Sequence, residues 1–129
     1  MPERTGPERT VMVVEDYDDT RLLLKRALEK RGYRVLEAIN GQEAVNIAER
    51  ERPDLILMDL DLPILDGIAA TQQLRQKPEL NRVPIVAVTA YPLSYTRVNA
   101  FARGCNEYMG KPIDLGQLEE LLTRYLPAT

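Results

Sequence analysis

The sequence contains no histidine, and this absence narrows the chemistry open to the protein. It excludes Ser-His and Cys-His catalytic pairs, histidine metal sites and a phosphohistidine intermediate. The single cysteine, Cys105, cannot form an internal disulfide or a cysteine cluster for metal, and we expect a small buried thiol. Any reaction must therefore use carboxylates, hydroxyls, lysine, arginine, backbone groups or a bound ion.

Long apolar segments are missing as well. No run approaches the roughly 20 residues that span a bilayer, and the N-terminus lacks an apolar signal-peptide core. The 129 residues carry a net charge of −3, so bulk attraction to nucleic acid or to an anionic membrane is not expected. These features predict a cytoplasmic protein of one domain, with no nucleic-acid or membrane partner.

Short apolar runs alternate with amphipathic segments along the chain. Residues 1–10 repeat Pro-Glu-Arg-Thr and are expected to form a flexible N-terminal tail, which leaves a folded domain at 11–129. Each of five predicted strands is followed by a helical pattern, and the strands are 11–14, 33–39, 55–58, 85–88 and 107–109. This (βα)5 pattern predicts an α/β fold, a doubly wound parallel sheet with the flavodoxin-like strand order 2-1-3-4-5.

Local signals predict how two of the helices begin and which side faces the core. Asp18 or Asp19 is expected to cap the first helix, and Asp66 to cap the third. The apolar face of the first helix is predicted to hold Leu23, Leu24, Ala27 and Leu28.

Polar residues stand at the carboxyl ends of four predicted strands. In the order 2-1-3-4-5 the ends of strands 1, 3, 4 and 5 meet at one edge of the sheet, where open α/β sheets bind ligands. Strand 1 supplies Glu15 and Asp16, strand 3 supplies Asp59, strand 4 supplies Thr89, and Lys111 lies just past the end of strand 5. One such residue alone is more often a turn former or a helix cap, but four strand ends together predict a site.

The charges of this set indicate what it binds. Carboxylates about 4 Å apart repel by roughly 4 kcal/mol per pair, so three in one cleft raise each other's pKa or hold a cation. Oxygen ligands without His or Cys select Mg²⁺, Mn²⁺ or Ca²⁺. Few protein carboxylates, with positions left open for water, favour Mg²⁺ used together with a phosphate, with Mn²⁺ as a substitute. The cation, the Lys111 ammonium and the Thr89 hydroxyl would hold three phosphoryl oxygens, and Asp59 is the candidate nucleophile that forms an acyl phosphate.

These motifs resemble the response-regulator receiver domain, the CheY-like family. The resemblance runs from about Val11 to Leu126 and rests on four pieces: Val-Val-Glu-Asp at 13–16, Asp59 with Pro63 four residues on, Val88-Thr89-Ala90, and Tyr108 through Lys111-Pro112. Each piece is weak alone, and the combination is specific.

The resemblance implies a role for each matching residue. Asp59 would be the phosphoacceptor, and the metal ligands would be Glu15, Asp16, Asp59 and the backbone carbonyl of Asp61. Phosphate binding and switching would involve Thr89, Lys111 and the switch aromatic Tyr108. The family also implies a cis peptide bond before Pro112.

The function implied is a phosphorylation-dependent switch in two-component or phosphorelay signalling. The protein would not be an enzyme beyond self-phosphorylation from a phosphodonor and slow autodephosphorylation. Because the sequence lacks histidine, a sensor histidine kinase or a histidine phosphotransfer protein must supply the phosphoryl group. No output domain follows helix 5 in this sequence, so we expect a single-domain response regulator. It would signal to a downstream protein through the face of helix 4, strand 5 and helix 5.

Two alternatives remain open from the sequence. The first is a pseudo-receiver that binds partners without being phosphorylated, although the acid pair, Asp59, Thr89 and Lys111 are all present. The second, less favoured, is an aspartate-nucleophile phosphohydrolase of the haloacid dehalogenase kind, because Asp59-Leu60-Asp61 matches its DxD pair. That motif normally follows the first strand, and here two strand–helix units precede it.

Asp61 and Tyr91 match positions that vary in the family and that, in such domains, influence the lifetime of the acyl phosphate. We predict that Tyr91 limits the access of water to the phosphoryl group. Tyr91→Ala should therefore shorten the lifetime of the phosphorylated protein, followed as decay of the phosphorylated species. An unchanged or longer lifetime would contradict this role.

Overall fold

The computed structural model describes residues 8–90 and 94–127, in which strands and helices alternate from end to end. The strands are Thr10–Val14 (β1), Arg34–Ala38 (β2), Leu55–Asp59 (β3), Ile85–Thr89 (β4) and Glu107–Gly110 (β5). The helices are Asp18–Lys30 (α1), Gly41–Glu51 (α2), Gly67–Arg75 (α3), Ser94–Ala102 (α4) and Leu115–Tyr125 (α5). A 3₁₀ turn at Pro78–Leu80 lies between α3 and β4.

The five strands form one parallel sheet in the order β2-β1-β3-β4-β5, which confirms the predicted flavodoxin-like fold. In its register, Asp59 at the end of β3 pairs with Val88, and Thr89 at the end of β4 pairs with Gly110. Strands β1, β3 and β4 are buried along their whole length, which is why their sequences are nearly continuous apolar runs. The register brings the carboxyl ends of these three strands and of β5 side by side.

Helices cover both faces of the sheet. Side chains alternate between the faces along each strand, so that Met12 and Ile56 belong to one apolar layer and Val11 and Leu57 to the other. One layer is completed by α2, α3 and α4 through Ala44, Val45, Ala48, Ala70, Leu74 and Ala100. The other layer is completed by α1 and α5 through Leu24, Leu28, Leu118, Leu121 and Leu122.

Side-chain caps fix where three of the helices begin. Asn40, Asp66 and Asp114 each accept a hydrogen bond from a backbone N–H three residues on, at 2.7, 2.8 and 3.0 Å. The prediction that Asp66 caps the third helix is therefore confirmed. Because α2 and α3 start at fixed points just beyond their loops, the loops that flank the sheet edge are held in place.

Two predictions about α1 are wrong. Its N-cap residue is Tyr17, and among the described residues no side chain caps this helix; Asp18 instead pairs with the Arg21 guanidinium at 2.6 Å. Leu23 is 57% exposed, because α1 turns a narrow stripe centred on Leu24 and Leu28 toward the sheet. Leu23 is adjacent to Leu24 in the chain and therefore lies about 100° away around the helix, outside that stripe.

Several other predictions can be placed on the structure. Cys105 is buried, as expected, and the Lys111–Pro112 peptide bond is cis. Of the predicted N-terminal tail, residues 1–7 lie outside the described part of the chain, while Thr10 opens β1. Tyr91 also lies outside it. Over the ranges that are described, no helix has the length and apolarity needed to cross a membrane.

Helix α3 begins in direct contact with the end of β3. A Cβ atom added at Gly67 would lie 2.1 Å from the Asp59 carbonyl oxygen and 2.8 Å from the Leu60 Cα atom. Gly67→Ala should therefore push α3 away from β3 and lower the free energy of unfolding by about 1–3 kcal/mol. Urea titration measures this change.

A matched control is Gly116→Ala, in the first turn of α5. There the added Cβ would approach only the Asp114 carboxylate, at 3.2 Å, and alanine is the better helix former. We expect stability to be unchanged or higher by up to about 1 kcal/mol. A Gly67→Ala protein as stable as this control would contradict the close contact.

Candidate functional site

Three carboxylates converge where β1 and β3 end. Glu15 and Asp16 follow β1, Asp59 is the last residue of β3, and one oxygen from each lies within 4.8 Å of the others. Glu15 and Asp59 are each only 3% exposed, whereas Asp16 faces solvent. The acids that the sequence predicts to meet are therefore brought together, as two buried groups and one exposed group.

The Lys111 ammonium bridges the two buried carboxylates. Its Nζ donates to Glu15 Oε1 at 2.7 Å and to Asp59 Oδ2 at 2.9 Å. The backbone N–H of Lys111 donates to the Thr89 carbonyl at 2.8 Å, which carries the β4–β5 pairing one residue further. The sequence predicts this lysine near the acids but not its direct contact with both of them, which depends on side-chain conformation.

Burial and charge shift the ionisation of this cluster. Burial raises the pKa of Glu15, the hydrogen bond from Lys111 partly offsets that rise, and the Asp59 carboxylate raises the pKa again. Burial alone would lower the pKa of Lys111, but its contacts with Glu15 and Asp59 outweigh this and raise it. The ammonium therefore stays charged and acts as the counter-ion of a crowded acidic site.

Backbone groups hold the same two carboxylates. The Asp61 N–H donates to Asp59 Oδ1 at 2.9 Å, and the Tyr17 N–H donates to Glu15 Oε2 at 3.2 Å. Each buried acid thus receives one backbone and one ammonium hydrogen bond. Throughout the described ranges, no buried side-chain nitrogen or oxygen lacks a hydrogen-bond partner. Both carboxylates are consequently fixed in orientation before any ligand arrives.

Thr89 and Tyr108 both interact with Asp61, two residues after Asp59. Thr89 ends β4, is 1% exposed, and its hydroxyl donates to Asp61 Oδ2 at a long 3.4 Å. Tyr108 lies half-buried in β5 and packs against the apolar layer of α2, α3 and α4. Burial raises the pKa of its hydroxyl, Arg97 lowers it, and Asp61 raises it. The exposed Asp61 carboxylate therefore accepts a hydrogen bond from Thr89 and raises the pKa of Tyr108 through its charge, two effects that the sequence did not predict.

Arg21 is a further residue that sequence reasoning missed. Its guanidinium donates to the Glu15 backbone carbonyl at 3.0 Å. One signal was available in the sequence: a cation four residues into a helix opposes the helix dipole, so another group must compensate for it.

The acidic cluster fits a magnesium ion by the chemistry of its donors. Glu15, Asp16 and Asp59 offer carboxylate oxygens, which are the ligands that a hard divalent cation prefers. Two of these ligands are fixed by hydrogen bonds and the third faces solvent, which leaves positions for water or for phosphate oxygens.

The fold and the site define a doubly wound α/β domain with an acidic, lysine-bridged centre at the carboxyl edge of its sheet. The family model described as the response regulator receiver domain matches residues 11–123. The chain belongs to this family of two-component and phosphorelay receiver domains.

Named relatives cover almost the whole chain. The polar-differentiation response regulator DivK of Brucella anthropi is 36% identical over 118 residues, which is 92% of this chain and 96% of the relative. The solved receiver domain of a sensor histidine kinase from Pseudomonas aeruginosa, with magnesium coordinated in its active-site cleft, is 39% identical with a TM-score of 0.85. That comparison covers 92% of this chain and 98% of the other.

A second solved structure is a complex. It contains a Saccharomyces cerevisiae histidine phosphotransfer protein and the receiver domain of its downstream response regulator. The matching chain is 35% identical, with a TM-score of 0.87 over 98% of this chain and 95% of that one.

Removing the bridging ammonium tests how far the site depends on it. With Lys111→Met and divalent ions chelated, Glu15 and Asp59 lose their shared counter-ion, and the pKa of Glu15 should rise further. The free energy of unfolding at neutral pH should fall by about 1–3 kcal/mol, measured in urea.

The control is Lys25→Met, which removes an ammonium from the half-exposed Glu37 at 3.4 Å. Such exposed pairs contribute about 0–1 kcal/mol, so little change is expected. If both variants lost the same stability, the buried bridge would have no special role.

Proposed function

We propose that this protein is a phosphorylation-dependent signalling switch that accepts a phosphoryl group on Asp59. One observation supports the proposal above the others. The buried Asp59 carboxylate sits at the end of the central strand, 2.9 Å from the Lys111 ammonium and within 4.8 Å of two further acids. Family membership and the magnesium-bound relative from Pseudomonas aeruginosa agree with this assignment.

The chemistry is the transfer of one phosphoryl group. An Asp59 carboxylate oxygen attacks the phosphorus of a phosphohistidine, a P–O bond forms, the P–N bond breaks, and the imidazole leaves with a proton. Glu15, Asp16, Asp59 and the Asp61 backbone carbonyl would hold Mg²⁺, which when bound supplies positive charge to the phosphoryl oxygens. Lys111 already donates to Asp59 and would pass to a phosphoryl oxygen of the product.

The phosphodonor would be a phosphohistidine on a sensor histidine kinase or a histidine phosphotransfer protein, because these 129 residues contain no histidine. The yeast complex of a phosphotransfer protein with a receiver domain supports a partner of this kind. The cytoplasmic location expected from the sequence stays a prediction.

Phosphorylation would change the protein's surface through movements of Thr89 and Tyr108. A phosphoryl dianion near Asp59 would draw the Thr89 hydroxyl away from its long hydrogen bond to Asp61. The vacated space would let Tyr108 rotate inward and change the face formed by α4, β5 and α5. A downstream protein would bind that face, which carries exposed apolar surface at Val98 (67%) and Phe101 (38%).

Asp61 and Tyr91 would set how long the phosphorylated state lasts. The Asp61 carboxylate would compete for the Thr89 hydroxyl and repel a dianion, so its charge would act on both formation and loss of the acyl phosphate.

Apart from self-phosphorylation from a donor and slow autodephosphorylation, we propose no enzymatic activity. A phosphohydrolase is not favoured, because the Asp59-Leu60-Asp61 motif follows the third strand.

The test is treatment with acetyl phosphate and Mg²⁺ followed by intact mass. The wild-type protein should gain one phosphoryl group, and Asp59→Asn should gain none because its amide is not a nucleophile. Asp61→Asn is the matched control: it changes a neighbouring acid, should still be phosphorylated, and should show a different decay rate.

Two outcomes would contradict the proposal. A folded wild-type protein that gains no mass would favour the pseudo-receiver. Equal labelling of Asp59→Asn would place the phosphoacceptor elsewhere.

A further inference from the structure

We propose that Arg21 is a positioning residue for the divalent-cation site. It would hold the loop between β1 and α1 so that Glu15 and Asp16 present their carboxylates together. This inference rests on the proposed function, since it concerns the metal ligands of the same site. Arg21 would act through the backbone and not as a ligand of the cation or of the phosphoryl group.

The guanidinium of Arg21 uses three of its nitrogens on three parts of the fold. It donates to the Glu15 carbonyl at 3.0 Å, to Glu37 Oε1 on β2 at 3.2 Å, and to Asp18 Oδ1 on α1 at 2.6 Å. Its side chain is only 16% exposed. One planar group therefore ties the end of β1 to a neighbouring strand and to the first turn of α1.

The contact with the Glu15 carbonyl is the one that matters for metal binding. That carbonyl belongs to the peptide unit between Glu15 and Asp16, so its hydrogen bond fixes the plane of the bond that joins the two ligands. The Glu15 side chain is held separately by Lys111 and by the Tyr17 N–H. Asp16 is exposed, and the direction of its side chain depends on the backbone that Arg21 holds.

The positive charge of Arg21, taken alone, would weaken Mg²⁺ binding, because it repels a divalent cation nearby. The surrounding charges cancel this effect. Arg21 and Lys25 pair with Asp18 and Glu37, so the two positive and two negative side chains sum to zero. What remains is the geometric effect, and groups that orient metal ligands typically change metal affinity by about 10–100-fold when removed.

The experiment measures the dissociation constant for Mg²⁺ by isothermal titration calorimetry of the purified protein. Arg21→Ala should weaken Mg²⁺ binding by about 10-fold. Arg21→Lys keeps the charge but not the fork of donors, and it should also weaken binding. The control Lys25→Ala removes a cation from the same charge network without touching Glu15, and it should leave the constant nearly unchanged.

One further readout and one fallback variant separate positioning from general destabilisation. The backbone amide NMR signals of Asp16 and Tyr17 should move in metal-free Arg21→Lys and stay in place in Lys25→Ala. If Arg21→Ala does not fold, Glu37→Gln weakens the anchor on β2 and should loosen Mg²⁺ binding by a smaller factor.

The outcomes are distinguishable from those of the proposed function. Wild-type protein that binds Mg²⁺, with Arg21→Ala and Arg21→Lys binding it equally well or more tightly, would overturn the positioning role alone. Wild-type protein that binds no Mg²⁺ would overturn the metal site and this inference together.

Discussion

The contact of the Lys111 ammonium with Glu15 and Asp59 is the interaction on which the site depends. Two nearly inaccessible carboxylates lie at the edge of an apolar sheet, where their charge is costly unless it is neutralised. The ammonium offsets one of the two negative charges, and the backbone N–H groups of Asp61 and Tyr17 complete the hydrogen bonding. A centre held in this way has its acids oriented in advance and its counter-ion in direct contact with the proposed phosphoacceptor Asp59.

The sheet explains why this arrangement forms where it does. Four strands end side by side in the order β1-β3-β4-β5, and each inner strand is apolar until its last residue or the one after it. The polar residues are therefore placed at one edge by the register and not by neighbouring positions in the chain. Gly67 strengthens this placement, since it lets α3 begin against the Asp59 carbonyl oxygen.

Two residues, Asp61 and Arg21, connect the acidic cluster to the surrounding strands and helices through hydrogen bonds. Asp61 contributes its N–H to Asp59 and its carboxylate to Thr89, so one residue touches both the proposed phosphoacceptor and the proposed switch hydroxyl. On the other side, Arg21 links the Glu15 carbonyl to β2 and α1. The loops around the site are thereby tied to the frame of the domain, and a charge added at Asp59 would be felt by residues on several elements.

The sequence by itself determined the strands, the order of the sheet and the identity of the acids. Apolar runs and helix caps such as Asp66 are local signals, and the parallel order follows from the alternation of strands and helices. It could not determine that Leu23 faces solvent or that Asp18 pairs with Arg21 instead of capping α1. Asp18 and Arg21 are only three residues apart, so their pairing is a local alternative to the cap that is favoured because Glu15 and Glu37 also hold the Arg21 guanidinium. The exposure of Leu23 and the bridge of Lys111 to both buried acids were decided only by tertiary structure, because they depend on how elements far apart in the chain pack together.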